Sequence, residues 1–156
     1  MAGLEVVFGK GGITVTIEGK EYKASPLRVK DFAAFRAWIR DSKLESFMRA
    51  AKMAELDGES FSKGIDSILS TPMRVGRDEK TGQVIADDPV LSEMFTEAGL
   101  SYLLWLSIKK KHPKVELDII DIGYEELVKL VEVVTKLTGL EVPKEEEGPS
   151  QGSNPP

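Results

Sequence analysis

A nearly continuous apolar helix is the feature that most constrains how this chain can fold. Residues 100–111 carry apolar side chains on almost every side, from Leu100 through Trp105 to Ile108, before three lysines end the run. A helix that is apolar all round must be surrounded by other elements. The run is far shorter than the roughly 20 residues that a membrane span needs. We therefore predict that this helix lies at the centre of a protein core, and we expect no association with a membrane.

The first 25 residues show the pattern of a β-hairpin. Residues 13–17 alternate apolar and polar side chains, which places the apolar ones on one face of a strand. Gly19 supplies a turn, and residues 21–24 can return antiparallel. Residues 5–8 can add another strand. Because a lone hairpin is marginally stable in water, we expect this sheet to pack against a helix.

Helical periodicity begins after Pro26. Phe32, Phe35 and Ile39 recur at the spacing of one helix face. Ser42, with a glutamate three residues later, has the spacing of a capping box and predicts that a second helix begins there. The next elements are a short helix over 61–69, an exposed loop or small hairpin over 72–87, a helix from Asp88, the central helix, and a last helix over 124–138 ended by Gly139.

These elements define the predicted fold class. The chain is α+β and mainly α, with an N-terminal antiparallel β-hairpin packed on a bundle of about five to six helices. Residues 1–140 are predicted to form one globular domain, in which 1–25 are the hairpin region and 26–140 are helical. Residues 141–156 are acidic and rich in Pro, Gly and Ser, so we predict a disordered C-terminal tail.

Charge and composition exclude several functions. The net charge is −5; the tail, with four glutamates and one lysine, holds −3, which leaves −2 for residues 1–140. A nearly neutral body lacks the basic field that binds nucleic acid, so no nucleic-acid partner is expected. The chain has no cysteine, which removes disulfides, thiolate metal sites and thiol nucleophiles and suits a reducing cytoplasm.

No set of residues indicates a catalytic, cofactor or metal site. Lys10 in the glycine-rich turn is followed by Gly11 and then by a strand, whereas a phosphate loop needs Ser or Thr and a helix there. His112, the single histidine, has no catalytic partner nearby and is interpreted as the residue that ends the central helix. We therefore predict a protein that is not an enzyme and has no cofactor.

The end of the central helix supplies the candidate partner-binding residues. Tyr102 and Trp105 lie one turn apart and are either core residues or aromatic anchors for a partner. Lys109, Lys110 and Lys111 either offset the dipole at the helix end or contact an acidic partner segment. Both interpretations remain open for each group, and a protein partner is favoured over nucleic acid because no aromatic residues interleave the lysines.

The order of features from residue 101 onward resembles a known family. SYLLWLSIKKKHP at 101–113 is followed by an acidic-apolar connector, a second amphipathic helix and the acidic tail. This order resembles the tail assembly chaperones of long-tailed bacteriophages. The resemblance implies a non-enzymatic protein that binds and solubilises the tape measure protein and helps recruit tail tube subunits. It also implies action in the host cell cytoplasm and absence from the mature virion. Self-association of the chain is a separate expectation.

The alternative is a structural phage protein of the neck or head-tail connector that stays in the virion. Such permanent subunits more often have ordered termini, so the acidic tail favours the chaperone.

Overall fold

A small antiparallel sheet precedes a group of helices. The computed structural model describes residues 3–9, 12–120 and 123–139, with backbone alone at 124 and 127. The strands and helices are, in chain order, β1 (Leu4–Gly9), β2 (Gly12–Ile17), β3 (Lys20–Ala24), α1 (Phe32–Met53), α2 (Gly58–Ser70), β4 (Val75–Arg77), β5 (Val84–Ala86), α3 (Asp88–Met94), α4 (Glu97–Lys109) and α5 (Leu127–Thr138). The predicted fold class, α+β and mainly α, is confirmed.

The N-terminal sheet has the strand order β1-β2-β3 with antiparallel pairing throughout. β1 pairs with β2 from Leu4 opposite Ile17 to Gly9 opposite Gly12. Alternate side chains face the helices, and Leu4, Val15 and Ile17 are almost completely buried there. The predicted period-two pattern is therefore present, with the additional strand that residues 5–8 suggested.

Helix α4 is the centre of the core, as its apolar sequence predicts. Leu100, Leu103, Leu104 and Ile108 have no exposed surface, and α4 packs against α3, α5 and β3. The hydroxyl of the buried Ser107 donates to the Ser25 carbonyl, and the main-chain carbonyl of Ser107 accepts the Ser25 N–H at 3.1 Å. The one polar side chain on the buried face thus joins α4 to the end of β3, and its hydrogen-bonding groups are satisfied.

Helix α1 corrects one expectation. No new helix begins at Ser42, because α1 runs without interruption from Phe32 to Met53. A serine can cap the start of a new helix only if its own backbone lies outside helical geometry. Alanine, arginine and leucine favour the helix on both sides of Ser42, and neither Gly nor Pro occurs within α1, so the backbone continues through the capping-box pattern.

The hairpin and the end of the last helix follow the predictions, whereas α2 begins at Gly58, with Asp57 as its N-cap, before the predicted start at residue 61. The polar stretch at 72–87 contains the hairpin of β4 and β5, and Gly139 ends α5 with a φ of 69°. This left-handed conformation is one that glycine adopts without steric cost. The prediction of disorder at 141–156 concerns residues outside the described ranges. Within those ranges no helix has the length and apolar character that crossing a membrane requires.

Candidate partner-binding site

Four aromatic rings form a continuous stack from the core to the surface between α1 and α4. Trp38 and Tyr102 lie parallel with ring centroids 4.8 Å apart, and Tyr102 meets Trp105 at 5.3 Å. Phe35 contacts both Trp38 and Tyr102 from the core side. Phe35 is completely buried, whereas the other three rings are half-buried. The stack is thus neither purely core nor purely surface, and we call Trp38, Tyr102 and Trp105 the aromatic face.

Tyr102 contributes a neutral polar group to the aromatic face. Burial raises the pKa of its hydroxyl, and the negative charge of Asp41 raises it further. The hydroxyl lies 3.5 Å from the Ala34 carbonyl of α1, at the long limit of a hydrogen bond. Tyr102 is therefore protonated at physiological pH, and its hydroxyl is available as a donor to a molecule bound on this face.

Trp105 anchors the chain that leaves α4. Its indole Nε1–H donates to the Val115 carbonyl at 2.9 Å. This bond holds the segment that follows α4 against the helix. The Lys109 ammonium lies 4.5 Å from the centroid of the same ring, a cation–π contact. The indole N–H of Trp105 therefore has a structural role, while the face of its ring contacts Lys109 and so places a cation at the margin of the aromatic face.

The three lysines at the end of α4 have different environments. Lys110 binds Asp31 and donates to the Pro26 carbonyl at 3.0 Å, with side chains of Lys110 and Asp31 that are 29% and 17% exposed. Lys109 and Lys111 are exposed and form no ion pair with a described residue. Lys110 is therefore already engaged by a carboxylate within the fold, whereas Lys109 contacts the Trp105 ring and neither Lys109 nor Lys111 has a described carboxylate partner.

The ion pair changes the titration of Asp31. Burial alone would raise the pKa of this carboxyl. Hydrogen bonds from the Lys110 ammonium and from the Arg28 N–H, at 2.7 Å, outweigh that effect and leave the pKa below its ordinary value. The pair fixes the start of α1 to the end of α4, which are the two helices that carry the aromatic face.

His112, interpreted from the sequence as the end of the helix, lies beyond Lys109, the last residue of α4, and contacts the sheet. Its N–H donates to the Ile108 carbonyl at 3.0 Å, and its Nε2 accepts the Lys23 N–H at 3.1 Å. The ring meets Tyr22 edge-on at 5.5 Å. These contacts give the histidine a structural role in joining α4 to β3.

The structure thus brings together most of the candidate residues and adds one. Tyr102, Trp105 and Lys109 share one surface, Lys111 lies beyond it with no ion pair to a described residue, and Lys110 binds Asp31. Trp38 completes the aromatic face from another helix, and no spacing within the sequence could have connected it to Tyr102. Among the described residues, no group of three or more His, Cys, Asp or Glu side chains could hold a metal ion.

No protein-family model, curated protein or solved structure matches this chain. Function is therefore inferred from the geometry of the site and from the resemblance of its sequence.

Proposed function

We propose that this protein is a non-enzymatic tail assembly chaperone that binds and solubilises a phage tape measure protein and helps recruit tail tube subunits. The observation that carries the proposal is the half-buried aromatic face, with the Lys109 cation at its margin. Two of its three rings, Tyr102 and Trp105, lie within the segment that resembles the family. The proposed place of action is the host cytoplasm, before the virion is complete.

The physical argument concerns the needs of a long helical partner. An amphipathic helix that awaits assembly exposes an apolar stripe, which must be covered reversibly to prevent aggregation. Partly exposed Trp and Tyr rings supply contact area at low cost in conformational entropy and often dominate binding energy. Lys109 and Lys111 add attraction to acidic side chains that flank such a stripe, mainly through the rate of association.

Co-expression tests this proposal directly. The full chain is produced with the tagged tape measure protein of the same phage, and we measure the amount of soluble tape measure protein and the amount of chain that co-purifies with it. We expect the chain to raise the soluble fraction. If the tape measure protein is equally soluble without the chain and does not retain it, the proposal is wrong.

Variants locate the contact. Changing Lys109 and Lys111 together to Gln should weaken retention, with the larger loss at low ionic strength because salt screens exposed charges. The matched control changes the exposed Lys52 and Lys80 to Gln and should leave retention unchanged. Trp38→Leu removes one ring of the aromatic face while keeping a large apolar side chain. A thermal melt of this variant separates lost binding from lost folding.

Two further results would favour the alternative hypothesis, a neck or head-tail connector subunit, over the chaperone. Stoichiometric amounts of the chain in purified virions would identify a retained structural subunit. Binding of duplex DNA at physiological salt, abolished by the double lysine change, would indicate a DNA-handling role at the neck.

A further inference from the structure

Strand β1 has an open edge. Ile17 opposite Lys20 closes the two-residue turn Glu18–Gly19, and opposed residues in an antiparallel pair alternate between hydrogen-bonded and non-bonded positions. Ile17 therefore bonds to β3, and its partner in β1, Leu4, lies at a non-bonded position of the β1–β2 pair. Counting from that pair, Leu4, Val6 and Phe8 direct their N–H and C=O groups away from β2. No hydrogen bond joins these outward groups to another described residue. β1 therefore presents a row of backbone donors and acceptors that no described residue engages.

This edge lacks the features that normally prevent pairing between proteins. Sheet edges are usually protected by charged residues, proline, bulges or a short length. At the opposite edge of the sheet, three of the five residues of β3 are charged. β1 has six residues in unbroken register, and Glu5 is the single charge among them. Val7 and Phe8 are 63% and 43% exposed, so apolar surface accompanies the free backbone groups.

A groove beside β1 leaves space for another strand. It has a volume of about 510 Å³ and lies between β1 and one side of α5, where Lys129, Glu132 and Val133 line it. An added strand lies about 4.8 Å from its neighbour. Such a strand would hydrogen-bond to the outward groups of Leu4, Val6 and Phe8. Its side chains on the inner face would meet α5.

We propose that the occupant is β1 of a second copy of this chain, paired antiparallel about a two-fold axis at Val6. In this register Val6 pairs with the partner's Val6, Leu4 with the partner's Phe8, and Glu5 with the partner's Val7. Apolar residues meet on the inner face, and no two like charges are opposed. The result is one six-stranded sheet across the dimer, and the proposal stands independently of the chaperone function.

The self-complementary sequence of β1 selects this register and this occupant. Shifting the centre to residue 5 opposes Glu5 to the partner's Glu5, which is destabilising, and shortens the pairing. Shifting it to residue 7 leaves Leu4 without an opposite residue within β1. A two-fold interface uses one surface twice, so a strand that pairs well with itself favours a symmetric dimer over an unrelated peptide.

Charge changes at Val7 test the register. Val7→Glu places a glutamate opposite the partner's Glu5, whereas Val7→Lys places a lysine there, and the two-fold axis makes each pair occur twice. Sedimentation equilibrium of the full chain should show a reversible dimer. We expect Val7→Glu to raise its dissociation constant about tenfold. At low salt, Val7→Lys should leave the dissociation constant unchanged or lower it. Added salt should reduce the difference between the dissociation constants of the two variants.

The matched control is Ile85→Glu, which adds the same charge at an exposed β-branched residue of β5, 54% exposed. Its dissociation constant should equal that of the parent chain. Thermal melts should show that all three variants fold, since Val7 is exposed on the outer face of the sheet.

Amide hydrogen exchange gives a second measurement. The N–H groups of Glu5 and Val7 point toward β2 and should exchange slowly at every concentration. Those of Leu4, Val6 and Phe8 should become protected as the concentration of the chain rises. A monomer at all concentrations, equal weakening by Val7→Glu and Val7→Lys, or protection that does not alternate would each overturn the proposal.

Discussion

The Asp31–Lys110 ion pair should contribute more stability than its place near the surface suggests. Lys110 contacts both Asp31 and the Pro26 carbonyl, and Asp31 also accepts the Arg28 N–H. Exposed ion pairs contribute about 0.2–1 kcal/mol, and removing one partner of a fully buried pair costs roughly 3–5 kcal/mol. With side chains 29% and 17% exposed, this pair lies between those limits. We expect Lys110→Met to cost about 2 kcal/mol.

Thermal and denaturant unfolding measure that cost. About 2 kcal/mol should lower the Tm of a chain of this size by roughly 4–8 °C. The matched control is Lys111→Met, whose exposed side chain has no described ion pair, and its effect should stay within about 0.5 kcal/mol. A double-mutant cycle with Asp31→Asn should give a coupling of about 1–2 kcal/mol. If Lys110→Met is as stable as the parent, or the cycle shows no coupling, the pair has no such role.

The pair also predicts a pH dependence. The pKa of Asp31 is lower in the folded chain than its ordinary value, so its contribution is fully present above the pKa of the unfolded chain. It is lost as pH falls through the lowered folded pKa. Other carboxylates titrate in the same range, so the difference in unfolding free energy between the parent and Lys110→Met isolates Asp31. That difference should be constant near neutral pH and shrink below about pH 4.

Three further changes test other parts of the fold. Gly99→Ala should destabilise α4 by more than about 1 kcal/mol, because a Cβ would lie 1.8 Å from the Glu93 carbonyl oxygen; an unchanged Tm would refute this. Trp105→Phe should cost about 1 kcal/mol through the lost bond to Val115, and Trp105→Ala clearly more, as equilibrium unfolding would show. Truncation after Leu140 should shift the Tm by less than about 5 °C, and a larger loss would contradict a disordered tail.

The candidate site shows how far a single sequence can be interpreted. Tyr102, Trp105 and the lysines could be proposed together because they follow one another along one helix. Trp38 could not be added, because its stacking on Tyr102 depends on how α1 crosses α4. The three lysines are equivalent in the sequence pattern, and only the folded positions of Asp31 beside Lys110 and of Trp105 beside Lys109 distinguish them.

Local patterns determined much of the architecture. Alternation over residues 13–17 predicted a strand, all-round apolarity predicted the buried α4, and Gly139 predicted a helix end, because each depends on neighbours within a few residues. The capping-box pattern at Ser42 failed for the same reason. A capping box permits a helix to begin at Ser42 but does not require it, and the helix-favouring residues on both sides keep the backbone helical there.

Tertiary structure decided the properties that depend on contacts between distant residues. It placed Trp38 on Tyr102, paired Lys110 with Asp31, turned His112 toward β3, and left one edge of β1 open beside α5. The periodicity and composition of a helix or strand specify which of its faces is buried. They do not specify which face of another element packs against it. That choice is made by long-range packing, and the aromatic face and the open strand edge both result from it.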